Sequence, residues 1–565
     1  MKKFIILVIS YAIILNINNL CAKDNLQEIL SKPNPNFYEI QEARLNQFKV
    51  QDASERRGWK QFKRWEYFWG QRTYPSGEFP NGYQIYQEYS QFARKTEGAK
   101  LQGVQWTLLG PTKTPSSSDT REQGLGRINV VRINPQNENE LWIGAASGGV
   151  WRSTNNGGSW QNFPFTDFLS LGVSDIAISK SNPNIVYVAT GDADGSLGTG
   201  GKEFYTIGLI KTTDAGTTWN VTGFSRELQD SKLITRVLVN PDNDNIVLAA
   251  TNGGIYKSTD GGNTWSQKTT EGTIVDMEFK PNDYNTVYAS TYNYGGSCFI
   301  SVSNDNGDTW RKVYTIQYGN RLAIAVTPAN PDYVYCLASD MRTSGFEGFY
   351  LSTDAGNNWS KVGDATARAN VLGWWDGLNG DVTGQGTYDL SICISPKNTA
   401  QIYAGGVNIW KSIDRGNSFF TLTSWTNYDN LPFVHADIHN FEFSPSGNRL
   451  YATHDGGISV STDEGSSWKD ITNGLSITQF YKMGTSDDIL AAVIGGCQDN
   501  GTSMRVGNGN WKHIYSADGM DCAIDPTNSN RIYFSIYNGV FYRSTDQGVS
   551  VTRIGSSITE KRSEE

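Results

Sequence analysis

The chain has 565 residues, a formal net charge of -9 and a charged fraction of 19%. A net negative protein is an unfavourable partner for nucleic acid or for an anionic membrane surface, and we exclude both as partners. The 59 glycines and 17 tryptophans, beside an apolar fraction of 38%, are typical of a β-rich extracellular protein.

Residues 1–22 have the pattern of a secretory signal peptide. Lys2 and Lys3 precede an apolar run over residues 4–15, and Cys21-Ala22 offers a cleavage site. No later stretch is long and apolar enough to span a membrane. We therefore expect export, with a secreted or cell-surface location.

Residues 23–100 differ in composition from the rest and predict a helical leader. The runs 39–50, 59–69 and 83–95 contain helix-forming residues and few breakers. Basic and aromatic residues alternate over 56–65, a pattern that suits either a polyanion site or a packing seam. We favour the seam, in which the aromatics pack on the following domain and the Lys and Arg stems cover its edge.

An eight-residue motif, called the turn motif below, recurs along residues 101–555. Its pattern is Ser/Thr-x-Asp-x-Gly-x-x-Trp, and 258–265 is the clearest copy. Because an aspartate can accept backbone N–H bonds across a tight turn and glycine tolerates a positive φ, the motif suits a hairpin. The tryptophan lies on the returning strand and is expected to pack on the neighbouring repeat. The structural aspartates of the motif are Asp214, Asp260, Asp305, Asp354, Asp414, Asp463 and Asp546.

The spacing of the turn motif predicts the fold. The copies begin at 153, 212, 258, 303, 352, 412, 461 and 544, so that most are 45 to 60 residues apart. Short apolar strands around a proline turn precede each copy, which makes one period a four-stranded propeller blade. The long last interval hides a blade without the motif, at about 480–511.

We therefore predict an all-β fold with a short helical N-terminal leader. It is a single large β-propeller of nine or ten four-stranded blades over 101–555, and residues 106–109 are expected to close its ring. A polar tail at 556–565 is a candidate truncation point.

The turn motif resembles the Asp box of the BNR repeat proteins. The stretch from about 105 to 551 looks like the ten-bladed propeller of sortilin-type receptors, and like secreted bacterial proteins labelled glycosyl hydrolase. The motif is informative on fold and not on function, since sialidases, xyloglucanases, sortilin-like receptors and photosystem assembly factors share it. Two departures weaken the enzyme assignments. Asn129 follows Arg127 and Ile128 where a sialidase has proline, and the xyloglucanases resemble two propellers side by side.

An alignment of the inner strands on their turn prolines suggests an ion-pair ladder. Asp175, Arg236 and Asp276 fall at equivalent positions in consecutive blades, near the start of the strand that lines the central channel. We expect these charges to pair on the channel wall. Arg236 is also a candidate ligand-binding residue for a peptide held in the channel.

The most suggestive cluster of functional residues is at 434–439. On a strand, His435, Asp437 and His439 would share one face. Three interpretations stay open: ligands of a divalent cation, an aspartate that orients a histidine for proton transfer, and a hydrogen-bonded polar cluster that closes the channel mouth. No other cofactor is expected.

Two insertions carry residues that suit a sugar ligand. The first opens with Asp192 and Asp194, and the second places Trp374 and Trp375 beside Asp376, with Trp425 in the next blade able to join them. Exposed aromatic planes flanked by carboxylates suit sugar rings. Hydrolysis requires two carboxylates, one with a raised pKa. The candidates for it are Asp192, Asp194, Asp376 and Asp437, with Asp381, Asp389 and Asp521 as further carboxylates.

The sequence thus predicts an exported propeller that binds a carbohydrate or an extracellular protein. A first alternative is a glycoside hydrolase of the Asp-box type acting on a polysaccharide. A second is a sortilin-like receptor or scaffold that grips a peptide in its channel.

Overall fold

The computed structural model describes residues 26, 28–30, 32, 35–49, 59–79, 107–116, 124–163, 172–199, 206–225, 232–293, 296–364, 370–374, 382–426 and 430–555. The predicted signal, the predicted helix at 83–95 and the polar tail lie outside these residues. The chain divides into two compact units, Met1–Gln102 with Gly555–Glu565, and Gly103–Ile554.

The first unit contains two of the predicted helices, α1 (Phe37–Lys49) and α2 (Trp59–Gly70). Their contact is aromatic: Trp65 stacks on Phe37 with ring centroids 4.9 Å apart, and Phe48 meets Trp59 at 5.1 Å. The aromatics of the basic stretch therefore pack within the helical unit. Its expected packing on the propeller stays a prediction. Among the described helices, none has the length and apolar character needed to cross a membrane.

The second unit is built from nine groups of four antiparallel strands, numbered here as blades 1 to 9. Blade 1 comprises β1 (Ile128–Ile133), β2 (Leu141–Ala145), β3 (Gly149–Ser153) and β4 (Gln161–Phe163). Blade 2 comprises β5 (Val173–Ile178), β6 (Val186–Thr190), β7 (Gly208–Thr212) and β8 (Asn220–Ser225), with α3 (Ala193–Thr199) between β6 and β7. Blade 3 comprises β9 (Ile234–Val239), β10 (Val247–Thr251), β11 (Gly254–Ser258) and β12 (Ser266–Thr269).

Blade 4 comprises β13 (Thr273–Lys280), β14 (Asp283–Tyr292), β15 (Cys298–Ser303) and β16 (Arg311–Ile316). Blade 5 comprises β17 (Gly319–Val326), β18 (Val334–Asp340), β19 (Phe346–Ser352) and β20 (Ser360–Asp364), and the pair Tyr292 and Arg321 joins it to blade 4 in one continuous sheet. Blade 6 comprises β21 (Ser391–Ile394), β22 (Ile402–Gly405), β23 (Ile409–Ser412) and β24 (Phe420–Thr421).

Blade 7 comprises β25 (Ile438–Phe443), β26 (Leu450–His454), β27 (Gly457–Ser461) and β28 (Lys469–Asp470). Blade 8 comprises β29 (Lys482–Thr485), β30 (Val493–Cys497), β31 (Gly501–Arg505) and β32 (Lys512–Tyr515), which confirms the blade predicted without a turn motif. Blade 9 comprises β33 (Gly519–Asp525), β34 (Asn528–Ile536), β35 (Val540–Ser544) and β36 (Thr552–Ile554), with a 3-10 turn at Tyr537–Gly539.

The second strands of the ring blades are buried on both faces, which explains their composition. β2, β6, β10 and β26 are buried along their whole length and consist mainly of apolar residues. A strand covered on both faces has no reason to alternate polar and apolar residues. The apolar face of each blade therefore continues into the next interface.

Blades 1 to 7 form a closed ring. An apolar cluster fills each successive interface, and the seventh cluster joins blade 7 back to blade 1. In that closing interface Leu141 and Ile143 of blade 1 pack with Tyr451 and Ile458 of blade 7, and the Trp160 indole donates to the Ile471 carbonyl at 2.9 Å. The ring closes by side-chain packing between two complete blades.

Blades 8 and 9 lie outside this ring and share an apolar cluster of their own. The all-β propeller class and the count of nine four-stranded blades are confirmed. The structure differs from the expected single ring because blade 1 already covers the free face of blade 7. Residues 107–116 do not close the ring either: Ser116 pairs with Lys512 at the edge of blade 8.

The predicted role of the turn motif is confirmed in detail. In the copy at 258–265, the Asp260 carboxylate accepts the Thr264 N–H at 2.8 Å, and the Ser258 hydroxyl accepts the Gly262 N–H at 2.8 Å. Hydrogen bonds from Thr264 and Ser258 lower the pKa of Asp260 to about 2, so the carboxylate stays ionised. Trp265 packs in the cluster between blades 2 and 3, as expected for a residue that meets the neighbouring repeat.

The strand order gives the ring two chemically different ends. Because successive strands are antiparallel, the proline turns and the turn motifs of all blades lie at one end, called the motif end. The connections from second to third strands, and from one blade to the next, lie at the opposite end, called the open end. The insertions with Asp192, Trp374 and Trp425 all belong to connections at the open end.

The turn motif predicts a stability effect for Ser461, whose side chain is buried in the copy at 461–468. Its hydroxyl accepts the buried Gly465 N–H at 2.8 Å. We expect Ser461→Ala to lower the free energy of unfolding by about 1–3 kcal/mol, because that N–H then has no acceptor. Urea unfolding followed by tryptophan fluorescence measures the loss. The matched control is Ser466→Ala at an exposed position of the same turn, which should change stability by less than about 0.5 kcal/mol. Equal effects of the two substitutions would contradict the assigned role.

Candidate functional site

The channel of the ring contains a cavity of about 370 Å³ lined by the first strands of all seven ring blades. Its wall is rich in charge although it is enclosed by apolar blade interfaces. The charged lining residues are Arg132, Asp175, Asp194, Arg236, Asp276, Glu278, Arg321, His439 and Glu442.

Arg236 forms the ion-pair ladder that the sequence predicts. Its guanidinium lies 3.7 Å from Asp175 and 3.4 Å from Asp276, and it also pairs with Glu278. On the other side, Arg132 binds Asp175 at 2.6 Å. Each arginine is therefore held by carboxylates of the wall, and these ion pairs link four adjacent blades, 1 to 4.

His439 lies at the channel mouth between two carboxylates. Its Nδ1 is 3.1 Å from Asp194 and its Nε2 is 2.8 Å from Asp455. Burial alone would lower the pKa of His439, but the two carboxylates raise it to about 9. Burial opposes ionisation of Asp194 as well, but Arg321 at 2.6 Å and His439 hold its pKa well below the usual range. The mouth thus holds a charged carboxylate-imidazolium chain in which His439 and Asp455 are buried and Asp194 is half-buried.

A second buried network connects the mouth to blade 1. Arg127, just before β1, pairs with Asp192 in the first insertion. The Arg127 guanidinium also donates to the Tyr388 hydroxyl at 2.7 Å, and that hydroxyl donates to Asp455 at 2.8 Å. Asp192 is therefore a buried partner of Arg127 and is closed to a large ligand.

The predicted set of His435, Asp437 and His439 does not share one face. β25 begins only at Ile438, and Asp437 has a φ of 68°, which breaks the strand alternation before it. The His435 ring stacks on His454 with centroids 5.8 Å apart, and its Nε2 lies 3.1 Å from the Asp499 carbonyl. The three residues thus have separate partners, and both His439 nitrogens are occupied by carboxylates.

Asp437 belongs instead to a cluster of carboxylates at the open end. Asp437, Asp455 and Asp499 each place one oxygen within 4.8 Å of the others. Burial, then the neighbouring charges of Asp389, Asp455 and Asp499, raise the pKa of Asp437 well above its usual range. Burial also opposes ionisation of Asp455, but His439 lowers the pKa of that carboxyl to about 2.

Sequence reasoning missed the two partners of Asp437. Asp455 begins an Asp-Gly-Gly turn and Asp499 an Asp-Asn-Gly turn, each between the second and third strands of its blade. An aspartate in the second turn of a blade, followed by glycine, is the signal that could have found both. Their proximity depends on how blade 8 lies on blade 7, which no local pattern encodes.

Two of the three tryptophans predicted to suit a sugar ligand, Trp374 and Trp425, lie within the described residues. Trp374 is 42% exposed, and its carbonyl accepts the Trp425 indole N–H at 3.0 Å, so the expected association of the two tryptophans is observed. Trp375 and Asp376 lie outside the described residues.

Comparison with known proteins first defines the class of the fold. The crystal structure of the GH74 enzyme from Niastella koreensis matches with a TM-score of 0.56 at 17% identity, over 80% of this chain and 68% of that one. At this identity the likeness concerns the fold, and it supports the β-propeller class. Residues 253–374 match the family model described as sortilin-Vps10 (sortilin, neurotensin receptor 3).

The curated relatives of this chain are xyloglucanases. It is 25% identical over 268 residues to the probable oligoxyloglucan-reducing end-specific xyloglucanase of Neosartorya fischeri, covering 44% of this chain and 29% of the relative. It is 25% identical over 321 residues to the xyloglucanase of Paenibacillus sp, covering 50% of this chain and 27% of the relative. The matched part thus spans less than a third of either relative.

Tyr388 provides a test of the buried network. Its hydroxyl is both acceptor for Arg127 and donor to Asp455. We expect Tyr388→Phe to lower the free energy of unfolding by about 1–3 kcal/mol, because two charged groups each lose a hydrogen-bond partner in a buried site. Chemical denaturation measures the change. Tyr533→Phe, at a 40% exposed position in blade 9, is the control and should leave the transition in place. A null effect of both would mean that the network adds no stability.

Proposed function

We propose that this protein is an exported glycoside hydrolase that acts on a polysaccharide of the xyloglucan class. The observation that carries the proposal is its similarity to proteins named xyloglucanases, at 25% identity over 268 and 321 residues. Export rests on the signal-like pattern of residues 1–22. Hydrolysis has more support than the main sequence-based hypothesis, which was binding alone.

The architecture removes one objection to this proposal. The sequence argument against a xyloglucanase was that the chain holds a single propeller, whereas those enzymes resemble two side by side. Seven blades suffice to close the ring, and blades 8 and 9 pack on each other outside it. The blade arrangement is therefore compatible with a second stack of blades beside the first.

The open end is the face that we assign to the polysaccharide. Trp374 and Trp425 meet there, and an exposed indole offers a flat apolar surface on which a sugar ring can stack. The motif end consists of repeated turns whose polar side chains are used in hydrogen bonds within each turn. We therefore place a long ligand at the open end, where Trp374 is exposed.

Asp194 is the carboxylate that we assign to catalysis. Of the predicted catalytic candidates that the structure describes, Asp192 and Asp437 are buried and bonded, whereas the Asp194 side chain is 17% exposed and lines the channel cavity. Arg321 and His439 keep Asp194 ionised, which suits a nucleophile, whereas a general base needs a higher pKa. We propose that Asp194 is the ionised member of the catalytic pair.

Peptide capture in the channel has less support. The sortilin match covers 253–374, but Arg236, the residue expected to hold a peptide, is engaged with Asp175, Asp276 and Glu278. A bound peptide would have to break these buried ion pairs, at a cost of several kcal/mol.

The hydrolysis proposal predicts release of oligosaccharides from soluble xyloglucan. We expect the full chain to produce new reducing ends, and Asp194→Asn to lower turnover by at least about 100-fold while polysaccharide affinity changes by less than about threefold. Product chromatography and a reducing-end assay measure the rate. Asp242→Asn, an exposed carboxylate at the motif end, is the matched control and should keep full activity. Retention of xyloglucan without any product would support the binding hypothesis and contradict hydrolysis.

The location of the polysaccharide face is tested separately through Trp374. We expect Trp374→Ala to weaken the retardation of the protein in native gels cast with xyloglucan, by about tenfold in apparent Kd, since the stacking surface is removed. Phe541→Ala removes a 49% exposed aromatic of blade 9 and should migrate as the unmodified protein does. Unchanged retardation of Trp374→Ala would place the binding face elsewhere.

A further inference from the structure

The carboxylate cluster spans the junction between the ring and blade 8. Asp437 precedes the first strand of blade 7, Asp455 follows its second strand, and Asp499 lies in the equivalent turn of blade 8. Each offers one oxygen, and the three oxygens lie within 4.8 Å of one another. Oxygens on opposite sides of a Ca²⁺ ion are about 5 Å apart, so this spacing is compatible with one such ion.

Asp389 provides an independent sign that a positive charge belongs here. Its side chain is fully buried, and its Oδ1 has no hydrogen-bond partner among the described residues. The Gln385 amide donates to Asp437 at 2.6 Å and reaches the other oxygen of Asp389 at 3.3 Å, which places the two carboxylates side by side. A buried carboxylate oxygen with no donor costs free energy unless a cation compensates its charge or the carboxyl group takes up a proton.

Among the described residues, neither Asp389 nor Asp437 forms an ion pair with a cationic side chain. The cations at this end are already engaged, since Arg127 pairs with Asp192, Arg321 with Asp194, and His439 with both Asp194 and Asp455. The side-chain donor that Asp389 and Asp437 share is the neutral amide of Gln385. Two adjacent buried carboxylates thus face a third and a fourth at Asp455 and Asp499, and this arrangement favours a divalent cation.

We propose that Asp437, Asp455 and Asp499 bind a Ca²⁺ ion that joins blade 7 of the ring to blade 8. Asp389 stands beside Asp437 and adds to the negative field of the site. The donor set consists of carboxylate oxygens, which hard cations prefer, and its shape is set by loops from two different blades, which suits the flexible coordination of Ca²⁺ better than the strict octahedron of Mg²⁺. The proposed ligands do not include Asp194, although His439 bonds both Asp194 and the ligand Asp455, and Ca²⁺ binding does not depend on any hydrolytic activity.

The ion would reinforce a junction that side-chain contacts already connect. Near the cluster, the Asn500 amide donates to the Asp455 carbonyl at 3.1 Å, and the His435 ring meets the Asp499 carbonyl at 3.1 Å. These are side-chain to backbone bonds of ordinary strength. Because blade 8 lies outside the closed ring, a cation at this point would fix its position relative to the ring.

The test is calcium binding by the full chain after dialysis against EGTA. Isothermal titration calorimetry with CaCl₂ should give one site per chain, and the melting temperature should rise with added Ca²⁺. MgCl₂ at the same concentrations should bind at least tenfold more weakly. Absence of binding at millimolar Ca²⁺ in a folded sample would overturn the proposal.

Two variants assign the binding to these residues. Asp499→Asn, at a half-buried position, should weaken Ca²⁺ binding at least tenfold. Asp437→Asn should have two opposite effects: a higher melting temperature in EGTA, because repulsion between buried carboxylates is relieved, and loss of the Ca²⁺-dependent rise. The control Asp332→Asn, at the motif end with a 58% exposed side chain, should bind Ca²⁺ within twofold of the unmodified chain. If both cluster variants bind Ca²⁺ as tightly as this control, the ion lies elsewhere and the proposal fails.

Discussion

The structure depends on the need to cover both faces of every blade. A four-stranded sheet with a doubly buried second strand, such as β2 or β26, cannot be left open to water on either side. In a linear stack the first and last blades would each expose an apolar face. The cluster between blades 1 and 7 covers both of these faces at once, and it does so without exchange of a strand between the blades. Closure of the ring therefore follows from the same side-chain packing that joins neighbouring blades.

Ring closure also determines which side chains can have a function. Antiparallel strand order sends every turn motif to one end, where in the copy at 258–265 the aspartate and serine bond the backbone of their own turn. The opposite end has no such repeated constraint, and its connections vary in length and composition. The buried arginines, His439 and the carboxylate cluster all lie there or in the channel below it. The repeated turns therefore form the scaffold, and the candidate site lies where the sequence departs from the repeat.

Much of this fold could be predicted from the sequence because the relevant signals are local. The turn motif fixes a hairpin through bonds within eight residues, and the alignment on turn prolines was sufficient to predict the contacts of Arg236. Two features could not be predicted. The number of blades in the ring depends on how much each blade is rotated relative to the next, which the turn motif does not encode, and blade 9 outside the ring still carries a copy of that motif at 544–551. The prediction that His435, Asp437 and His439 share one face was wrong because a single residue, Asp437, adopts a positive φ.

Acid-rich character at the open end is not by itself a sign of catalysis. A general acid or nucleophile must reach the glycosidic bond, and the buried carboxylates Asp389 and Asp437 are enclosed by the loops that carry them. Their raised pKa values follow from that burial and from their neighbours. A raised pKa in a carboxyl group that no substrate can touch shows that its ionised form is destabilised by its surroundings. A protein retains such a group when the group has a function other than catalysis. Exposure therefore separates the two kinds of acid at this end, because Asp194 borders the cavity and Asp437 does not.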